Sequence, residues 1–90
     1  MNKQDLIATV AEAGTLPRVK AAEIVDAIFE AIETALKDRQ EVRLAGFGTF
    51  TRSSRKAGVG RNPRTGAQIA IPASNSVRFK PGKSLRDAVN

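Results

Sequence analysis

The first part of the chain repeats its apolar side chains at the spacing of an α-helix. Three of them lie three and four positions apart and predict one buried helix face: Leu6, Ile7 and Val10. The predicted helix runs over residues 3–13. Asn2 can cap its first turn, Asp5 places an anion at the positive end of the helix dipole, and Gly14 is expected to end it.

The next periodic segment is longer and predicts a second helix that begins after Pro17, whose fixed φ suits a helix start. Its main apolar face has six members at spacings of three and four: Val25, Ile28, Phe29, Ile32, Ala35 and Leu36. Ala21, Ala22 and Ile24 widen this face beyond what one neighbouring helix needs. The extra width indicates that a second copy of the chain packs against it.

From Val42 onward the period changes to the alternation that is typical of β-strands. The sequence GFGTF at 46–50 predicts a tight turn that leads into a strand, and residues 81–82 (Pro-Gly) end the last strand before a short helix. The predicted order is therefore two helices, two strands, an arm, a strand and a helix, which is an α+β fold. The strand signals lie in four segments: 42–44, 49–52, 69–71 and 77–80.

Residues 51–74 contain only three large aliphatic side chains, which are Val59, Ile69 and Ile71. Because such a segment contributes little to a core, we predict a hairpin arm over about residues 52–74 that projects from the body. The sequence GRNPRTG at 60–66 is expected to form its tip, since Pro63 fixes φ and Gly66 permits a positive φ.

Ninety residues form a single small domain, and a body of about 66 residues without the arm is marginally stable alone. The chain has no cysteine and no histidine, so neither disulfides nor an ordinary metal site can add stability, and we expect no cofactor. We therefore predict an obligate homodimer. All four aromatic residues are expected in its core rather than on a base-stacking surface. The predicted dimer core is Phe29, Ile32, Leu36, Leu44, Phe47, Phe50 and Phe79.

The net charge of +6 is unevenly distributed along the chain. Residues 1–45 have six cations against eight acids, a net of −2, whereas residues 46–90 have nine cations against one acid, a net of +8. A segment with so one-sided a charge is expected to face a polyanion, and nucleic acid is the default candidate. No targeting peptide and no apolar run of membrane-spanning length is visible, which favours a cytoplasmic protein without a membrane partner.

An enzyme is disfavoured, because histidine, cysteine and tyrosine are absent and the acids lie mainly at helical spacing on an exposed face. The glycines fit neither phosphate-binding loop, since Pro63 stands where a third glycine belongs and Ala67 follows Gly66 in place of lysine. An RNA-binding protein is the main alternative from composition alone. The deep groove of A-form RNA would not admit the arm, however, and aromatics for base stacking are missing.

The predicted arm tip combines a rigid apolar residue with guanidinium groups. Pro63 would act as a wedge between base steps, anchored by Arg61 and Arg64, because minor-groove proteins kink the duplex with such wedges. A solvated hairpin with charges for solubility is the alternative. An isolated two-stranded ribbon is marginal in water, which favours ordering against a partner. Lys83, in the first turn of the last helix, opposes the helix dipole unless a phosphate lies there.

Four motifs together resemble the HU and integration host factor family of bacterial DNA-bending proteins. They are MNKQDLI at 1–7, GFGTF at 46–50, GRNPRTG at 60–66 and FKPGKSLRDAV at 79–89. The resemblance spans the whole chain, and GFGTF combined with GRNPxTG is highly specific. It implies an intertwined homodimer, or a heterodimer with a paralogue. The implied parts are a helical dimerisation base with the first strand (1–45), a saddle of three antiparallel strands that carries the arm (46–82), and a C-terminal helix (83–90).

The resemblance also implies an architectural protein that binds duplex DNA largely without sequence specificity, bends it through the minor groove and helps to compact the bacterial nucleoid. HU and integration host factor are themselves standard examples of this mechanism, and Pro63 matches their intercalating residue. Flexible, nicked or bent DNA is the expected preference. The predicted contacts lie on the arm and on a basic flank below it: Arg52, Arg55, Lys56, Arg61, Asn62, Pro63, Arg64, Lys3, Arg18, Arg78, Lys80, Lys83 and Arg86.

The arm departs from the family pattern because it is less cationic. Family members often carry lysine on the return strand, where this chain has Ala67, Gln68 and Ala70, and the often basic position 58 is Gly58. We therefore expect weaker attraction between the arm and phosphates, and a larger share of the binding from the flanks. A homologue that reads sequence is the less favoured alternative, because minor-groove readout is degenerate.

Overall fold

The computed structural model describes all 90 residues as an α+β fold. Its elements are α1 (Lys3–Gly14), α2 (Arg18–Lys37), β1 (Val42–Leu44), β2 (Gly48–Arg55), β3 (Gly58–Arg61), β4 (Gln68–Ile71), β5 (Ser74–Pro81) and α3 (Lys83–Ala88). The predicted fold class and element order are confirmed, and the arm contains a strand pair of its own. None of the helices combines the length and the apolar composition needed to cross a membrane.

Helix α1 begins with reciprocal hydrogen bonds between Asn2 and Asp5. The backbone N–H of Asp5 donates to Oδ1 of Asn2 at 3.1 Å, and the backbone N–H of Asn2 donates to Oδ2 of Asp5 at 2.8 Å. This capping box satisfies two N–H groups at the helix start. The predicted cap is therefore confirmed.

The end of α1 differs from the prediction, because Thr15 and not Gly14 adopts the left-handed conformation, with a φ of 51°. Gly14 is the last helical residue, and a Cβ there would lie 3.0 Å from Cδ1 of Leu16. The N–H of Leu16 donates to the carbonyl of Ala11 at 2.9 Å, and that of Thr15 to the carbonyl of Glu12 at 3.3 Å. This is a Schellman-type ending. The glycine serves close packing rather than an unusual φ.

Helices α1 and α2 pack through a small core, and an ion pair between Lys3 and Asp26 joins their surfaces. Only four of the 90 residues are buried. A core of this size cannot by itself offset the conformational entropy lost on folding. The three buried apolar residues of this core are Ile7, Ala21 and Val25. The partly buried residues that pack against them are Val10, Ala11 and Ala22.

Strands β1, β2 and β5 form one antiparallel sheet with β2 in the centre. Phe50 of β2 lies opposite Val42 on one side and opposite Phe79 on the other. Because side chains alternate along a strand, this register separates the sheet into an apolar face and a polar face. The apolar face comprises Val42, Leu44, Phe50, Val77 and Phe79, and the polar face comprises Arg43, Thr49, Thr51, Arg78 and Lys80.

The arm continues directly from this sheet. β2 and β5 pair from Gly48 opposite Pro81 to Arg55 opposite Ser74, so residues 52–55 of the predicted arm pair inside the three-stranded sheet. Beyond them, β3 and β4 form a separate two-stranded ribbon. Residues between the two ladders are unpaired, and Pro72 among them has no N–H to donate.

The molecule is far more extended than a compact chain of its length. Its radius of gyration is 19.2 Å and it measures 61 × 32 × 26 Å, whereas a compact domain of 90 residues has a radius of gyration of about 12 Å. The accessible surface is 7398 Å², against about 5,100 Å² for a compact monomer of this mass. A single chain thus exposes a large area that a compact protein would bury.

Four residues of the predicted dimer core are among the exposed large apolar side chains. Phe29, Phe47 and Phe79 are exposed by 45%, 49% and 40%, and Leu44 is exposed as well. The ring of Phe79 lies 4.7 Å from that of Phe50 and 5.6 Å from that of Phe47, so three aromatics form a cluster on the apolar side of the sheet. These residues do not belong to the core of one chain, and their burial between two chains stays a prediction.

The strained end of α1 leads to a stability prediction for Thr15→Gly. A β-branched residue at φ 51° carries a conformational cost, so glycine should stabilise the protein by about 1 kcal/mol and raise the melting temperature by a few degrees. Thr15 is exposed and loses no buried contact. Thr15→Ala is the control, since alanine retains the Cβ that causes the strain. Thermal unfolding at one chain concentration measures both, and equal melting temperatures for the two variants would contradict the explanation.

Candidate nucleic-acid interface

The polar face of the sheet carries cations on its two outer strands. Thr49 in the central strand lies opposite Arg43 on β1 and opposite Lys80 on β5. One step further along, Thr51 lies opposite Arg78. Small hydroxyl side chains therefore occupy the middle of this face, with long cations on both sides. Such a surface is open at its centre and positively charged at its edges.

Helix α3 extends this cationic surface on one side. The cleft between α3 and the sheet is lined by Glu41, Arg43, Thr49, Thr51, Lys80, Pro81, Gly82, Lys83 and Arg86. Arg43 pairs with Glu41 at 3.2 Å and Lys83 pairs with Asp87 at 3.5 Å, both with exposed side chains. Exposed ion pairs contribute little stability. These cations can therefore exchange their carboxylate partners for phosphates at small cost.

The arm tip is closed by hydrogen bonds within the loop. The N–H of Asn62 donates to the carbonyl of Ala67 at 2.8 Å, and the N–H of Gly66 donates to the carbonyl of Asn62 at 2.7 Å. Oδ1 of Asn62 accepts from the N–H of Arg64 at 2.8 Å, and Gly66 has a φ of 72°. The predicted roles of Asn62 and Gly66 as turn formers fit this geometry. The Asn62 side chain orders the loop itself.

Pro63 lies exposed at the apex of this closed loop, between the exposed residues Arg61 and Arg64. Its ring has no donor and presents an apolar surface to the outside. Hydrogen bonds of Asn62 and Gly66 lie on both sides of the proline, so the loop is closed where the wedge was predicted.

The outgoing strand of the arm, β3, has no side chain at two of its four positions, Gly58 and Gly60. Gly58 and Gly60 lie opposite Ile71 and Ile69, and a Cβ on Gly60 would lie 2.7 Å from Cδ1 of Ile71. The absence of a Cβ on Gly60 therefore allows the Ile71 side chain to pack across the ribbon. This packing is the only apolar support inside the ribbon that the register provides, since Val59 on the other side is 70% exposed.

Arg52 is placed differently from the other predicted arm cations. It lies opposite Val77 and so belongs to the apolar side of the sheet. Its guanidinium Nη1 donates to the carbonyl of Lys37 at 2.9 Å and more weakly to that of Leu36 at 3.5 Å. The structure therefore directs Arg52 toward the end of α2, whereas Arg55 and Lys56 are exposed.

The predicted flank residues fall into two groups. Arg78, Lys80, Lys83 and Arg86 are exposed on the sheet and on α3. Lys3 and Arg18 lie instead at the start of the two helices, where Lys3 pairs with Asp26. Arg18 also donates to Oε1 of Gln4 in α1, at 3.1 Å.

Comparison with known proteins places the chain in a family. The family model described as "Bacterial DNA-binding protein" matches residues 1–90. The chain belongs to this family. DNA-binding protein HRL53 of Rhizobium leguminosarum is 52% identical over 90 residues, which cover 100% of this chain and 99% of that protein. DNA-binding protein HU-1 of Halalkalibacterium halodurans is 53% identical, with 100% of both chains covered.

Solved structures of HU proteins share the fold. The Anabaena HU–DNA cocrystal structure matches with a TM-score of 0.81 at 38% identity, covering 99% of this chain and 97% of that one. HU from Thermotoga maritima matches with a TM-score of 0.67 at 29% identity, with 100% of both chains covered. The resemblance to HU is confirmed. The family is one of structural DNA-binding proteins and not of enzymes.

In this HU-family chain, Arg43 is a candidate interface residue that the sequence analysis missed. It lines the same cleft as Lys80, Lys83 and Arg86. The alternation of Val42, Arg43 and Leu44 already indicated that Arg43 faces away from the apolar side. The sequence did not reveal that Arg43 lies on the same face as Lys80, across Thr49 of the central strand, because that arrangement depends on strand order.

Proposed function

We propose that this protein is an architectural DNA-binding protein of the bacterial nucleoid. It binds duplex DNA largely without sequence specificity, through the minor groove, and bends the duplex by inserting Pro63 between base steps. It prefers flexible, nicked or already bent DNA, because the energy needed to deform such DNA is smaller. Its location is the cytoplasm, in association with the nucleoid.

The observation that carries this proposal is the closed arm tip with exposed Pro63 at its apex. A wedge must resist the stacking energy of the base step that it opens, and the hydrogen bonds of Asn62 and Gly66 hold the loop in one shape. Arg61 and Arg64 flank the proline and can bind the phosphates or the narrowed groove on either side. The DNA-bound Anabaena relative with the same fold supports this assignment.

The cations of the sheet and α3 have a second role in the proposal. DNA that is bent at the tip folds back toward the body, where the polar face and the cleft beside α3 offer charge without apolar obstruction. Binding there releases counterions and adds affinity without reading sequence. Arg43 joins the predicted flank residues in this contact.

The proposal includes a dimer, either of two identical chains or with a paralogue. The accessible surface exceeds that of a compact monomer by about 2,300 Å² per chain, part of which belongs to the arm. Two such areas together fall within the range of about 2,000–5,000 Å² that obligate dimers bury. The exposed cluster of Phe47 and Phe79, together with Phe29 on α2, offers an apolar surface for the partner chain. Residues 1–45 would supply the dimerisation base and the first strand, residues 46–82 the saddle and arms, and residues 83–90 the C-terminal helix.

Pro63→Ala should reduce the bend more than the affinity, because the wedge is lost while the cations remain. We expect a smaller bend angle by fluorescence energy transfer on an end-labelled duplex, with affinity reduced less than about tenfold, which is 1.4 kcal/mol. Pro72→Ala is the matched control, since Pro72 lies in the arm but away from the tip. Equal bend angles for Pro63→Ala and the parent protein would reject the wedge.

Arg43→Gln should lower the salt dependence of DNA binding. Each phosphate contact contributes about 0.9 to the slope of log K against log[salt], so a dimer that loses two contacts loses about 1.8. Lys20→Gln removes the same charge from α2, where Lys20 pairs with Glu23 at 3.6 Å, and should leave the slope unchanged. Affinity titrations across salt concentrations measure both variants. A slope that stays at the parent value in Arg43→Gln would exclude Arg43 from the interface.

The dimer predicts a melting temperature that depends on protein concentration. For a two-state dimer of this size, a hundredfold increase in chain concentration should raise the melting temperature by about 8 °C. Phe47→Asp should abolish this dependence, because it places a charge on the apolar cluster. Val59→Asp introduces the same charge at a more exposed apolar residue of the arm and should retain the dependence on concentration. A melting temperature independent of concentration in the parent protein would contradict the dimer.

A further inference from the structure

Arg52 lies on the apolar face of the sheet, whereas the proposed DNA contacts of the sheet lie on the polar face. Its neighbours along the same face of β2 are Phe50 and Ser54, and the residue opposite is Val77. The exposed sheet cations Arg43, Arg78 and Lys80 all lie on the other face. Arg52 lines a groove together with Glu33, Leu36, Lys37, Asn75, Ser76 and Val77. This groove lies between the end of α2 and the root of the arm.

The end of α2 leaves one carbonyl that needs a donor from elsewhere. The carbonyls of Thr34, Ala35 and Leu36 accept from the N–H groups of Asp38, Gln40 and Arg39 at 3.1, 2.8 and 3.2 Å. The carbonyl of Lys37, the last helical residue, receives no backbone donor. Nη1 of Arg52 fills this place at 2.9 Å and also reaches the carbonyl of Leu36 at 3.5 Å.

Several physical effects favour this contact. The negative end of a helix dipole attracts a cation, and a hydrogen bond with a charged donor is stronger than a neutral one. Arg52 is partly buried, and its Nε is enclosed without a partner. Leaving Nε without a partner costs free energy, and the hydrogen bonds from Nη1 to the end of α2 offset this cost.

We propose that Arg52 is a positioning residue that fixes the direction of the arm relative to the helical body. It contacts no DNA itself, and its role rests on the DNA-bending function proposed above. Arg52 sits where the arm leaves the body, and the tip lies 11 residues further along, about 35 Å away in an extended strand. A change of about 10° at Arg52 would displace Pro63 by about 6 Å, which is nearly two base-pair steps.

A second side-chain contact on the same face, between Ser54 and Asn75, also joins β2 and β5 at the base of the arm. Oγ of Ser54 donates to Oδ1 of Asn75 across the β2–β5 pair at 2.8 Å. The residues that follow, 56–57 and 72–73, lack strand pairing. Ordered side-chain bonds thus end where the ladder is interrupted. The direction of the arm is set below this point.

The free protein provides the first test, through hydrogen exchange. Arg52→Met keeps the length of the side chain but removes its donors. We expect exchange at residues 38–40 and at the root of β2 and β5 to become about 5- to 30-fold faster. Amides around Ile7, Ala21 and Val25 serve as the internal control and should not change. Arg52→Lys should give an intermediate rate, because an ammonium lacks the planar fork of arginine.

DNA titrations separate positioning from direct contact. Arg52→Met should leave the slope of log K against log[salt] unchanged while it lowers and broadens the bend angle. Arg55→Met, on the exposed side of the same strand, should lower the slope by about 1.8 per dimer. Arg52→Lys should partly restore the bend.

Two results would overturn the proposal. A salt slope that falls in Arg52→Met as it does in Arg55→Met would make Arg52 a phosphate contact, and exchange rates equal to those of the parent would show that the link has no effect. If Arg52→Met does not fold, the same comparisons on Arg52→Lys decide. A parent protein that fails to bend DNA rejects the proposed function, whereas the exchange result still tests the link between Arg52 and α2.

Discussion

The antiparallel pairing of β2 with β5 is the interaction on which the rest of the molecule depends. Its register from Gly48–Pro81 to Arg55–Ser74 is continuous through the body and out to the base of the arm. Because strand side chains alternate, this one ladder places Phe50 and Phe79 on one face and the threonines with Arg78 and Lys80 on the other. A slip of one residue would exchange the two faces. The surface proposed for a partner chain and the surface proposed for DNA are therefore set by the same hydrogen bonds.

The exposed apolar face of the sheet has a consequence for stability, because the core within one chain contains only three buried apolar residues. The buried apolar residues lie between α1 and α2, and the sheet adds an aromatic cluster that one chain leaves exposed. A monomer with such a surface would be marginal and prone to association. Covering it with a second chain would supply the missing hydrophobic stabilisation and would also place two arms on one body. Stability and the capacity to hold DNA from two sides then have a common cause.

The proposed bending of DNA depends on local order at the two ends of the arm. At the tip, Asn62 and Gly66 close the loop around Pro63. At the root, Arg52 bonds to the end of α2, and the ribbon between them has little apolar support beyond Ile69 and Ile71. A thin ribbon can bend along a groove, whereas an ordered tip and root define where it ends and where it points. The low charge of the return strand is compatible with this division, because the sheet and α3 carry many of the remaining cations.

The sequence by itself determined the elements and their chemistry, because these depend on neighbours in the chain. Helical spacing, the Asn2 cap, the strand alternation and the turn formers at 60–66 are local signals, and the tip motif was specific enough to indicate the family. Tertiary structure alone decided which residues share a surface. It directed the guanidinium of Arg52 to the end of α2, placed Arg43 and Lys80 on either side of Thr49 in one cleft, and assigned to Thr15 the conformation expected of Gly14. The positions of Arg52 and Arg43 depend on strand order and on contacts between segments far apart in the chain, which residue spacing does not encode, whereas the conformation of Thr15 follows from the local packing of Leu16 against Gly14.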